Sequence, residues 1–120
     1  MLKERRLRRR EDFKRVLSTG RGRSDAYLVL KVAAGNAPAS RAGIVTSKKV
    51  GGAVERNRVR RRLREILRPL GITPVTDIVF IARLPAKTAA FSALETSVRG
   101  LLKRSGLITA ENEKNSPRSN

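Results

Sequence analysis

Residues Thr46–Pro69, TSKKVGGAVERNRVRRRLREILRP, constrain the fold of this 120-residue chain more than any other stretch. Seven arginines lie between Arg56 and Arg68, and Val59, Leu63, Ile66 and Leu67 recur among them at i, i+4, i+7 and i+8. That spacing makes one apolar stripe on an α-helix and leaves the arginines around the rest of its circumference. The helix is expected to begin near Gly52 or Ala53, after the Gly51-Gly52 turn. It must finish by Arg68, because Pro69 cannot continue it. The rest of the chain has to provide a core for the stripe and a reason for the charge.

A solvated helix face normally mixes signs at i, i+4, but Arg56, Arg60, Arg64 and Arg68 repeat one sign at that interval. Like charges so placed cost about 0.2–0.5 kcal/mol per pair in isolation. The whole chain repeats the imbalance, with 28 Lys and Arg against 10 Asp and Glu and a formal net charge of +18. Self-repulsion on that scale opposes a compact state, so the charge points to a polyanionic partner. Nucleic acid is the first candidate and an anionic membrane the second. Choosing arginine over lysine favours bidentate phosphate contact and stacking on bases. Asn57, between Arg56 and Arg58, can serve a base or 2′-hydroxyl, or can tie down the preceding turn.

Intrinsic catalysis is hard to build from the remainder. With no cysteine and no histidine, the chain lacks disulfides, thiol nucleophiles, thiolate or imidazole metal ligands and histidine acid–base chemistry. Among the ten carboxylates only Glu11 and Asp12 are neighbours, and adjacent helical residues point apart. Asp77 reads as a strand-edge residue. No convergent carboxylates suggest a protein-borne Mg²⁺ site, so neither catalytic nor metal-binding residues are assigned. No apolar run approaches the roughly 18 residues that span a bilayer, and the basic N-terminus lacks the apolar core of a signal peptide. A soluble, cytoplasmic protein is expected, and the absence of cysteine fits that compartment.

The chain has room for one domain. Residues 1–10 form a basic arm, residues 11–108 a single α/β domain, and residues 109–120 a polar tail expected to be disordered. Glu11 and Asp12 open a short helix over about 11–19 carrying Phe13, Val16 and Leu17, which Gly20 stops. Residues 27–33 and 42–47 read as strands, antiparallel to each other because the loop between them is short. The stretch before Tyr27 can add a short fourth strand. Residues 77–82, apolar throughout, read as a central strand covered on both faces. Thr88 is placed to cap a last helix whose core positions are Phe91, Leu94, Val98, Leu101 and Leu102, with Gly106 as its stop. Phe80 and Phe91 read as core. The scarcity of aromatics argues against a sheet that stacks RNA bases on exposed rings.

The segment SKKVGGAVERNRVRRRLRE, Ser47–Glu65, resembles the motif of the protein subunit of bacterial ribonuclease P: a Lys pair, a Gly turn and an Arg-Asn-Arg helix. RLRRREDFKRVL, AYLVLKV and DIVFIARLPA support it in order and spacing, so the likeness covers about residues 5–107. The resemblance implies a small α+β fold, a two-layer α/β sandwich of order αβββαβα. It also implies a left-handed βαβ crossover, as in the second domain of ribosomal protein S5. It further implies a protein that binds a catalytic RNA, whose Mg²⁺ ions cleave the 5′ leader from precursor tRNA. The protein itself would hold no metal, and one copy would serve each RNA. Lys48, Lys49, Arg56, Asn57, Arg58, Arg60, Arg61, Arg62 and Arg64 would then meet the ribonuclease P RNA. A cleft between the first helix and the sheet, matched here by Phe13, Leu17, Leu28 and Leu30, would receive the leader of precursor tRNA. Leu17 and Leu30 stand where the family often has aromatics, and Gly52 replaces a frequent Asn. A ribosomal or ribosome-assembly protein is the alternative, and a membrane-active or DNA-coating cationic protein a more distant one. The arginine helix lacks the aromatic-rich apolar face of an interfacial helix.

Overall fold

The computed structural model describes residues 5–108. Helix α1 (Arg10–Thr19) is followed by strands β1 (Arg21–Ser24), β2 (Leu28–Ala34) and β3 (Arg41–Val45). Helix α2 (Ala53–Leu67), strand β4 (Thr76–Ala82) and helix α3 (Phe91–Arg104) complete the αβββαβα order. The stretch before Tyr27 does form a fourth strand.

β4 takes the centre of a four-stranded sheet ordered β1-β2-β4-β3. It is antiparallel to β2, with Leu30 opposite Phe80, and parallel to β3, with Gly43 opposite Val79. β2 and β3 therefore run antiparallel, as expected, but do not pair directly. The reason lies in β4, whose Asp77, Ile78, Val79 and Phe80 are all buried. A strand apolar on both faces is satisfied only with a neighbour on each side and cover above and below, so it separates β2 from β3. Helix α2 thus connects β3 to β4, the parallel pair, as a crossover.

Two helices cover one face. Val59, Leu63, Ile66 and Leu67 of α2 pack with Leu94, Val98, Leu101 and Leu102 of α3 over Leu28, Leu30, Ile78 and Phe80. The α2 stripe is thus the one the periodicity predicts. Phe91 is half-buried at the edge of this core. α3 starts later than Thr88, because Leu84–Lys87 first makes a one-turn 3₁₀ helix. It ends in a Schellman turn: Leu107 N–H bonds Leu102 O at 2.9 Å and Gly106 N–H bonds Lys103 O at 3.0 Å. Gly106 adopts φ +73° there, the left-handed conformation that favours glycine.

On the opposite face α1 covers only part of the sheet, adding a partial layer to the expected two. Leu7, Val16 and Val79 form a small core there, with Phe13, Leu17, Ala33, Val45 and Ile81 packed around it. Charge fastens the helix. Asp77, fully buried rather than at an edge, accepts from Arg41 Nε at 3.1 Å and Nη2 at 2.8 Å, and from Arg15. Arg41 also reaches Asp12 at 3.4 Å, and Arg15 reaches Asp12 at 3.6 Å. Burial pushes the Asp77 carboxyl upward, but the two guanidinium groups outweigh it and hold its pKa below the usual value of 3.8.

The basic arm does not extend to residue 10. Leu7 N–H bonds Ala42 O at 2.9 Å, Arg6 bridges Ala42 in parallel sense, and Leu7 is buried. The domain therefore takes in residues assigned to the arm. Residues 1–4 of that arm and the tail 109–120 lie outside the described residues.

Candidate nucleic-acid interface

The turn before α2 decides where its cations point. Val50 is wholly buried in a one-turn 3₁₀ helix, Lys48–Val50, which leaves the side chains of Lys48 and Lys49 exposed beside it. Ser47 Oγ accepts from Lys49 N at 3.3 Å. Gly51 then takes φ +138°, and a Cβ there would lie 3.0 Å from Glu55 Cβ, so both conformation and space call for glycine. Glu55 accepts from Gly52 N at 2.7 Å, which supplies half of a capping box and starts α2.

With the apolar stripe buried, all but Arg56 of the arginines on α2 and its C-cap divide into two sets. Asn57, Arg60, Arg61, Arg64 and Arg68 line a groove with Arg6 from the N-terminal segment and one carboxylate, Glu65. Asn57, Arg61, Arg64 and Arg68 are exposed, while Arg60 is half-buried with Nε bonded to Thr46 Oγ1 at 3.2 Å. Arg64 is held below the ordinary arginine range, by partial burial first and then by the nearby Arg6 and Arg60. The other set is Arg58 and Arg62. Arg58 Nη2 donates to Lys87 O at 3.2 Å and Arg62 Nη1 to Ala89 O at 3.0 Å, across the segment leading to α3. Each spends part of its fork on backbone and keeps other N–H donors. Arg56 lies half-buried in the first turn. The predicted RNA-contacting arginines and Asn57 thus share one helix without sharing one surface, and Lys48 and Lys49 lie in the turn before it.

The predicted leader positions do not come together. Phe13 and Leu17 are half-buried on α1 over the partly covered face. Leu28 and Leu30 have no exposed surface and lie on the opposite face, in the α2–α3 core. Successive strand residues alternate faces, so a shift of one position sends a side chain through the sheet. Register puts Val29 beside Ile81, which faces α1 together with Val45, and Lys31 beside Val79. Half-exposed Val29, Lys31, Val45 and Ile81 with buried Val79, not Leu28 and Leu30, form the floor next to α1. The lysine within LVLKV was the available signal, since it marks the outward set of an alternating strand. Arg6 was missed because it sits in a basic run, although the apolar Leu7 beside it signalled an ordered contact.

The three aspartates are engaged within the fold. Asp12 and Asp77 bond guanidinium groups, and Asp25 accepts from Tyr27 N, Leu28 N and Ser97 Oγ. Among the described residues no three acidic, imidazole or thiol groups converge. No helix among them is long and apolar enough to cross a membrane.

Comparison with known proteins agrees with this architecture. The family model described as Ribonuclease P matches residues 1–106. The ribonuclease P protein component of Dehalococcoides mccartyi is 44% identical over 114 residues, 95% of each chain. That of a Roseiflexus species is 46% identical over 108 residues, 88% of each chain. A mutant Staphylococcus aureus ribonuclease P protein superposes with TM-score 0.82 at 29% identity, covering 88% of this chain and 92% of that one. Ribonuclease P protein from Thermotoga maritima, solved with a thiourea compound, gives TM-score 0.76 at 33% identity over 82% and 98%. By sequence along nearly its whole length and by fold, the chain belongs to the family of ribonuclease P protein components.

Proposed function

We propose that this chain is the non-catalytic protein subunit of a ribonucleoprotein endonuclease that removes the 5′ leader of precursor tRNA in the cytoplasm. Family membership implies an RNA partner and participation in an endoribonuclease, and the matches give no support to the ribosome-assembly alternative. The observation that carries the reading is the groove in which five arginines and Asn57 face one carboxylate. Guanidinium forks at that density suit the phosphates of a folded RNA. Lys48, Lys49, Arg56, Arg58 and Arg62 extend the cationic surface around the start and far flank of α2.

On this reading the chemistry rests with the RNA and its Mg²⁺. Asp12, Asp25 and Asp77 serve as structural partners, and no histidine or cysteine is present to move a proton or attack a phosphate. The half-covered sheet face beside α1, with Phe13, Leu17, Val29, Lys31, Val45 and Ile81, is suited to a single strand: apolar surface for bases and one cation for the backbone. One monomer per RNA is the simplest stoichiometry.

Reconstitution tests the proposal. The chain added to a ribonuclease P RNA transcript should permit cleavage of precursor tRNA at lower Mg²⁺ than the transcript alone. Absence of any enhancement across a salt series would overturn it.

A further inference from the structure

The N-terminal segment is fixed to the sheet in a way that holds a cation against other cations. Leu7 is 5% exposed, packs with Val16 and Val79, and hydrogen-bonds Ala42 O. That anchor aims the adjacent Arg6 into the groove beside Asn57, Arg60 and Arg64. Helical spacing places Arg60 and Arg64 on neighbouring turns of α2, and the Thr46 hydroxyl holds Arg60. The arrangement opposes the repulsion of like charges in the free protein. Its physical counterpart is an anion small enough to sit between two chain segments.

We propose that Arg6, Arg60 and Arg64 form a single phosphate pocket, in which one backbone phosphate of the RNA bridges the N-terminal segment to α2. The inference rests on the reading of α2 as an RNA-docking helix. It assigns Arg6 a role that the basic arm as a whole does not have: a fixed partner of Arg64, aimed by Leu7. In the free protein Arg6 destabilises the closed segment. In the complex the shared phosphate offsets that repulsion and locks the segment to the edge of β3.

The two states give effects of opposite sign, which a purely structural brace would not. Arg6→Ala should raise the melting temperature of the free protein in low-salt buffer, and the rise should shrink as salt screens the cluster. The same change should weaken binding to a ribonuclease P RNA transcript on the order of tenfold at low salt and reduce the salt slope by about one. Arg64→Ala should behave likewise. In the double variant, the second substitution should cost clearly less affinity than it does alone, because both side chains hold one phosphate. A melting temperature lowered by Arg6→Ala would overturn the proposal in favour of a brace. Unchanged affinity and slope, or strictly additive losses in the double variant, would also overturn it. Arg61→Ala separates the two readings. If Arg61→Ala and Arg64→Ala weaken binding while Arg6→Ala does not, only the shared pocket fails. If none of them weakens binding, the docking role of α2 fails.

Discussion

Replacing Asp77 with asparagine removes one charge from a network whose acid is wholly out of water. Its carboxylate takes two hydrogen bonds from Arg41 and one from Arg15, and the side-chain exposures are 0% for Asp77, 19% for Arg41 and 30% for Arg15. Breaking a fully buried ion pair costs about 3–5 kcal/mol. Here the orphaned guanidinium groups keep some solvent, and Asp12 remains within 3.4–3.6 Å of both, so the expected loss is about 2–3 kcal/mol. For a domain of this size that corresponds to a fall of roughly 10–15 °C in melting temperature. Urea denaturation at neutral and acid pH provides the assay. The folded-state pKa of Asp77 lies below its unfolded value. The stability it contributes is therefore complete above the unfolded pKa and disappears as pH falls through the folded one. The gap between native and Asp77→Asn proteins should be widest at pH 7 and close in acid. A loss under about 1 kcal/mol at pH 7 would show the network to be worth no more than a surface pair. A gap that persists undiminished into strong acid would refute the electrostatic assignment itself.

Leu30→Ala should cost about 2–5 kcal/mol in denaturant titrations, since Leu30 has no exposed surface. Lys31→Ala, its neighbour in sequence, should leave stability within about 0.5 kcal/mol but lower the salt slope for single-stranded RNA by about one. Equal behaviour of the pair would refute the face assignment. Gly51→Ala should lose about 1–3 kcal/mol by differential scanning calorimetry, because φ +138° is strained for a residue with a Cβ. Gly43→Ala should displace the ring of Phe13, whose Cε1 lies 2.5 Å from where the new methyl would sit. Overpacking of that kind costs about 1–3 kcal/mol, and a change in the Phe13 ring resonances should report it.

Local periodicity made part of this architecture readable. The stripe Val59, Leu63, Ile66 and Leu67 identifies the buried face of α2 because a helix places those residues together without help from elsewhere. The Gly51-Gly52 turn and Pro69 bounded it for equally local reasons. Strand partners were less legible. The central place of β4 could be inferred from its double-sided apolar pattern, but the loss of direct β2–β3 pairing depends on a segment that follows far later in the chain. Leu28 and Leu30 were placed on the wrong face because a motif match does not resolve a shift of one residue, whereas the Lys31 alternation does. Asp77 looked like a strand end because its partners, Arg15 and Arg41, come from two other elements. Arg6 belongs to the site for the same reason: its neighbour Leu7 reaches a distant strand.

The central position of β4 also bears on how the protein is made. β2 finds its main partner, and β3 its only strand partner among the described elements, in residues 76–82. During synthesis the β1–β2 hairpin can form early, but the sheet cannot close until β4 has emerged. By then the arginine helix has already been produced, with its apolar stripe still lacking most of its core. Topology of this kind lengthens the contacts that must be closed and slows folding. A chain truncated before Thr76 would thus be a polycation without a closed sheet, exposed to every nucleic acid nearby.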